Sequence, residues 1–278
     1  MKLYIKLDME GISGIVHPDQ VRPGNAEYER SRQLLMHDLI SVLKGAFAAG
    51  ATEALVYDMH ADGRNVSMEA GLNARISIVA GRPQPASGFF YGLDDSFDAL
   101  FLVGCHARAG AENALLPHTY DDDIVGIHIN GTEIGEIGLE AALAGEFGIP
   151  LAFVSSDSGG VRETRELLGQ DPEATQVKEA IGPTSGICMS AHATGRLLRE
   201  AASRAVRRAG SVPLVVFPSP IRLEVTYDDP AVVARMDGME QIELIDETTI
   251  ATEGPNIIIA YRDFILANSA RFVARRAA

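Results

Sequence analysis

The sequence has no tryptophan and only two cysteines, Cys105 and Cys188, among its 278 residues. Two cysteines cannot build the disulfide framework of a small secreted domain, and at this separation they exclude a Cys-x-x-Cys zinc site. Basic residues are also scarce, 24 Lys and Arg against 38 Asp and Glu, for a formal net charge of −14. A nucleic-acid binder needs a basic footprint to displace counterions from phosphate, so that class is disfavoured. The balance suits a soluble protein that attracts cations or cationic substrates. No apolar run reaches membrane-spanning length, and MKLYIKLDME lacks the apolar core and cleavage site of a signal peptide. No membrane partner and a cytoplasmic location are therefore expected. No GxSxG, P-loop or GxGxxG motif stands between a strand and a helix.

The hydrophobic share of 46% is enough for a substantial core. The first strand alternates, with Lys2, Tyr4, Lys6, Asp8 and Glu10 on one face and Leu3, Ile5, Leu7 and Met9 on the other. A helix follows over YERSRQLLMHDLISVLKGAFAAG, ended by Gly50. TEALVYDMH, ARISIVAG, FDALFLVGCHA and IPLAFVSSD read as strands, and EIGLEAALAGEFG as a helix. DIVGIHINGTEIGEIG reads as a hairpin about Asn130-Gly131, the dipeptide of a type I′ turn. PEATQVKEAIGPTSGICMS reads as irregular. AHATGRLLREAASRAVRRAG reads as an amphipathic helix with a basic last turn, as the macrodipole favours. Beyond residue 211, IRLEVTYDD and PNIIIAY read as strands, PAVVARM as a short helix and RDFILANSARFVARRA as a terminal helix. The rhythm predicts an α/β fold, a largely parallel sheet flanked by helices, with a smaller C-terminal α+β unit. Residues 1–210 form the expected metal-binding catalytic domain, and 211–278 the smaller domain, for packing and oligomerisation.

Three of these strands end in metal-ligand chemistry: Asp8 and Glu10 after the first, Asp58 and His60 after the second, His106 after FDALFLV. In an open parallel sheet the loops at the carboxyl ends of strands converge on one crevice. Two carboxylates on one face repel, and burying either unpaired is costly; a divalent cation removes both penalties. Carboxylates mixed with imidazoles suit zinc and other first-row divalent ions. Asp8 has two oxygens and could bridge a pair of ions. A second ion needs a further anion, for which Glu136 is the candidate, although a carboxylate at that helix start also serves the macrodipole. His118, on the PHTY loop, is placed to act as general acid or base.

Blander roles compete with these. Asp58 and Asp157 can cap the helices that follow them. Cys105 closes a buried run and reads as a packed thiol rather than a nucleophile. His128 and His192 read as structural, and His17 and His37 as surface or helix positions.

LDMEGISG, VYDMHADG, LVGCHARAG, PHTY and INGTEIGEIGLEAALAG resemble, in order and spacing, the D-aminopeptidases of peptidase family M55. The resemblance runs over most of the chain. It implies a zinc-dependent aminopeptidase, with two Zn2+ per subunit, that releases N-terminal D-amino acids from short peptides by attack of a metal-bridging hydroxide. Asp8 would bridge the ions, His60 and His106 would hold one of them, and Glu10 and Glu136 the other. His118 would be the catalytic histidine that binds no metal. A homo-oligomer is implied, with a ring-based decamer as the candidate. One position departs from the family pattern: Lys6 stands where a small hydroxyl residue is usual. A metal-dependent amidase or esterase on small amino-acid derivatives, such as an amino-acid amide, and a non-catalytic metal-stabilised assembly protein are the rival readings.

Overall fold

The computed structural model of the protein describes residues 1–68, 72–83 and 90–276. In chain order its elements are β1 (Lys2–Leu7), α1 (Pro18–Val21), α2 (Tyr28–Ala48), β2 (Glu53–Asp58), β3 (Ile76–Val79), β4 (Ala99–Val103), β5 (Ile124–Ile129), β6 (Thr132–Ile134), α3 (Glu136–Glu146) and β7 (Leu151–Asp157). There follow α4 (Ser158–Leu168), β8 (Glu173–Gly182), β9 (Ser185–Cys188), α5 (Ala191–Arg208), β10 (Ile221–Tyr227), α6 (Pro230–Ala234), β11 (Glu243–Leu244), β12 (Thr249–Gly254) and α7 (Ile257–Arg276).

The main sheet has the order β3-β2-β1-β4-β7-β8-β9. Its neighbours run parallel except for β9, which returns antiparallel to β8. Connections from β1 move outward to β2 and β3, whereas those from β4 move outward to β7 and β8. The order thus reverses between β1 and β4, where the loops at the carboxyl ends part and leave a crevice.

Both faces of β1 are covered, so its alternation separates two apolar environments rather than core from solvent. Leu3, Ile5 and Leu7 pack with Leu35, Leu39 and Val42 of α2 and Leu198 and Ala201 of α5. Tyr4 points the other way, into a layer with Ile137 and Ala141 of α3. Each such buried aliphatic side chain contributes about 1.5–3 kcal/mol relative to exposure.

An antiparallel second sheet has the order β11-β12-β10-β5-β6. It takes β5 and β6 from residues 124–134 as well as strands beyond residue 211. The β5–β6 hairpin turns at Asn130 and Gly131, with φ of 50° and 80°, as expected for an Asn-Gly turn. Helix α7 covers this sheet with Tyr261, Phe264 and Ile265.

Three segments differ from the sequence expectation. PEATQVKEAIGPTSGICMS is a hairpin, β8 and β9, whose alternation is broken by a register shift between Ala180 and Gly182. PNIIIAY is the start of α7 and not a strand. Its β-branched run favours a strand, but Asn256 accepts a hydrogen bond from Ile259 N at 3.1 Å, and Ile257, Ala260, Tyr261 and Phe264 form one buried helical stripe. The strand of that region is β12, just before it. Helix α4, rich in glycine at its start, has no strong sequence signal; Asp157 caps it by accepting from Gly160 N at 3.0 Å. The last residue of the expected terminal helix lies outside the described residues.

Candidate metal centre

β1 stops at Leu7, so Asp8 and Glu10 leave the ladder and enter a turn instead of extending the strand face. The turn is pinned to the loop after β4: Asp8 N donates to Val103 O at 2.9 Å and Gly11 N to Gly104 O at 2.7 Å. Only glycine fits at position 11, where a Cβ would lie 1.8 Å from the carbonyl oxygen of Cys105. This contact brings the carboxylates beside His106.

Five carboxylate and imidazole side chains converge there, all of them buried: Asp8, Glu10, His60, His106 and Glu136. His60 Nδ1 lies 3.2 Å from Asp8 Oδ1 and 3.1 Å from Glu10 Oε2. His106 Nε2 lies 3.3 Å from Asp8 Oδ2 and 3.3 Å from Glu136 Oε1. Half-buried His118 stacks on the His106 ring, with centroids 3.9 Å apart and planes 15° from parallel. Proximity sorts the donors into Asp8, Glu10 and His60 on one side and His106, His118 and Glu136 on the other. This is a different sharing from the one implied by resemblance, with Asp8 turning one oxygen to each side.

Backbone carbonyls orient the imidazoles. A carbonyl only accepts, so the ring nitrogen facing it carries the hydrogen. His60 Nε2 donates to Val21 O at 2.7 Å, His106 Nδ1 to Ala107 O at 3.0 Å, and His118 Nδ1 to Leu116 O at 3.0 Å. In neutral His60 and His106 the opposite lone pair then faces carboxylate oxygens, an arrangement that repels unless a cation stands between them. The spacing suits such a cation: with zinc bonds of about 2.0–2.1 Å in a tetrahedral arrangement, neighbouring donor atoms lie about 3.3–3.4 Å apart.

Without a metal, protons take that place. Burial and the neighbouring Glu10 raise the Asp8 carboxyl. Burial opposes ionisation of Glu10 as well, but His60 outweighs it and holds Glu10 well below the usual range. Burial opposes the charged form of His106, yet Glu136 and Asp8 lift it to about 10; in return His106 holds Glu136 at about 2, against its burial. A zinc ion must displace these protons to bind.

The D-aminopeptidase model of peptidase family M55 matches residues 1–265. This chain belongs to the M55 D-aminopeptidase family. It is 30% identical over 273 residues to a D-aminopeptidase of Bacillus subtilis (strain 168), covering 98% of this chain and 96% of that one. It is also similar to the solved structure of the Zn-dependent D-aminopeptidase DppA from Bacillus subtilis, a self-compartmentalizing protease. That match has a TM-score of 0.92, 28% identity and 98% coverage of each chain. Among the described residues no helix is long and apolar enough to cross a membrane.

In this family member several other polar residues near the crevice have structural partners. Asp58 accepts from Asn65 N, Asn65 Nδ2 and Val66 N at 2.6, 2.8 and 3.0 Å, shaping the loop after His60. Asp157 accepts from Leu115 N at 2.7 Å in addition to capping α4. Cys105 is buried, and burial pushes its thiol well up, so it is inert. Lys6 is buried against the carboxylate of Glu140, one helical turn beyond Glu136. Glu140 also accepts from Tyr120 OH at 3.4 Å, while Tyr120 N donates to Glu136 Oε1 at 2.7 Å. Lys6 therefore brings its own counter-charge and leaves the cluster's balance unaltered. Sequence reasoning missed Glu140 as that partner, although the i, i+4 spacing from Glu136 puts both on one helix face. It also missed Lys178, a buried lysine in the segment read as irregular.

Proposed function

We propose that this chain is a zinc-dependent aminopeptidase acting on short peptides with an N-terminal D-amino acid. The observation that carries the reading is the set of imidazole lone pairs aimed at buried carboxylates. Asp8, Glu10 and His60 would hold one zinc ion, and Asp8, His106 and Glu136 a second. Such a pair supplies an activated water near neutral pH and polarises the scissile carbonyl. His118, less buried than the five ligand candidates, would act on the reacting groups. Its Nδ1 hydrogen is held by Leu116 O, so Nε2 of the neutral ring is free to take a proton from the nucleophile and return it to the leaving amine. Stacking on His106 and the carbonyl tie keep the ring from turning away.

The D-preference and the zinc dependence are supported by the relatives' descriptions, and so is assembly with further copies. Exposed Leu214 and Val216, and Ile181 and Ile187 on the β8–β9 hairpin, offer apolar surface to such copies. We assign packing and oligomerisation to the unit formed by 211–278, resting on the β5–β6 hairpin. A ring-based decamer is the assembly to test first. The functional test compares D- and L-alanyl dipeptides with alanine amide, before and after zinc is stripped. Zinc-dependent release of D-alanine from the dipeptide is expected. Cleavage of the amide but of neither dipeptide would replace the peptidase reading with an amidase.

A further inference from the structure

Lys178 lies in β8 with its side chain buried. Its ammonium donates to the carbonyl oxygens of Glu10, Ile12 and Ile15, at 2.5, 2.8 and 2.5 Å. An ammonium has three hydrogens, and all three are committed to one short loop more than 160 residues away. Burial pushes this amine down to about 8, against the pull of Asp157, so placing it here has a cost that the loop contacts must offset.

The loop needs such an anchor. Glu10 lies past the end of β1, where no ladder fixes its backbone. The loop's own ties include Gly11 N to Gly104 O at 2.7 Å, Ile12 N to Met9 O at 3.1 Å, Ser13 N to Asp38 Oδ2 at 2.8 Å, Ile15 N to Ile12 O at 3.2 Å, Val16 N to Gln20 Oε1 at 2.7 Å and Gln20 Nε2 to Gly14 O at 3.3 Å. Of the three carbonyls that Lys178 binds, Ile12 O also accepts from Ile15 N. Lys178 gathers those carbonyls around one point, and the Glu10 carboxylate is thereby held 3.1 Å from His60 Nδ1.

We infer that Lys178 is a positioning residue of the metal centre, which sets the Glu10 side of the cluster by binding three backbone carbonyls of the loop that carries it. The inference rests on the reading of Glu10 as a zinc ligand. Arginine does not substitute, because a planar fork of donors cannot converge on three carbonyls around one point.

Zinc content and affinity, by chelator competition on the full chain, test this. Wild type is expected to hold two ions. Lys178→Met is expected to weaken one of them by about 10- to 100-fold, the range seen when a group supporting a ligand is lost, and to leave the other in place. Lys178→Arg should resemble Lys178→Met. If Lys178→Met does not fold, Lys178→Gln, which keeps two donors on a shorter arm, carries the same expectation. Val177→Ala, a core truncation one residue away, supplies comparable destabilisation and should keep both ions at wild-type affinity. Two ions of unchanged affinity in the Lys178 variants, or an equal loss in Val177→Ala, would overturn the inference and leave the metal centre standing. A wild-type chain without zinc would overturn both.

Discussion

The ligand cluster and the polar frame beneath it differ in what their lone pairs face. In the frame, each buried group meets a partner of opposite character: Lys6 meets Glu140, Lys178 meets three carbonyls, and Asp58 meets three N–H donors. In the cluster, acceptors meet acceptors. Asp8 lies beside Glu10, and neutral imidazole nitrogens look at carboxylate oxygens. Folding without metal must fill the second arrangement with protons, and a buried cluster of this kind marks a place reserved for a cation. Substitutions should therefore act on stability in the frame, Lys178 reaching the metal as well through the loop it holds, and on chemistry in the cluster.

The largest expected effect belongs to the cluster. His118→Ala should lower turnover by roughly two to four orders of magnitude, the share of a general acid–base group, with zinc content and melting temperature unchanged. Metal analysis alongside steady-state kinetics checks it; loss of zinc would make His118 a ligand.

Next comes the frame. Glu140→Gln strands Lys6 and should cost about 3–5 kcal/mol in urea unfolding, as expected for breaking a buried ion pair. Adding Lys6→Met should recover most of that loss. A double variant no better than the single one would show that the pair does not act as a unit.

The third prediction sets the two regions against each other in one residue. In zinc-stripped protein Asp8→Asn removes like-charge repulsion with Glu10, so its melting temperature should equal or exceed that of wild type. With zinc present the order should reverse, because a carboxylate between the two sides of the cluster is gone. Thermal unfolding with and without a chelator reads both.

The smallest effect lies in the frame's periphery. His37 Nδ1 lies 3.0 Å from buried Asp38, whose other oxygen holds Ser13 N. The hydrogen bond to Asp38 raises the His37 pKa against partial burial, and nearby Lys44 lowers it slightly. A raised folded pKa means that the contribution is fully present below the unfolded value of about 6.5 and is lost as pH rises through the folded value. The stability gap between wild type and His37→Gln should therefore be widest in mild acid and shrink towards alkaline pH. A gap that grew with pH would reverse the assignment.

Much of the cluster was legible because its residues sit where strong local signals end. An apolar run followed by Asp, Glu or His announces a strand and its loop, and the crossover rule brings such loops together. The second sheet was harder to read. Three consecutive isoleucines at 257–259 favour a strand locally, and only the sheet beneath them makes the helical stripe worthwhile. The β8–β9 hairpin carries glycine and proline at its bend, which hides its alternation. Lys6 could be seen as anomalous, but its charge partner comes from an element more than 130 residues on. Lys178 gave no signal, since a lysine that binds carbonyls has no sequence partner to seek.

The most direct test of the paired-cation claim is anomalous scattering at the zinc edge from crystals of the zinc-loaded protein. Two peaks are predicted, one among Asp8, Glu10 and His60 and one among Asp8, His106 and Glu136. A single peak, or none within bonding distance of Asp8, would contradict it.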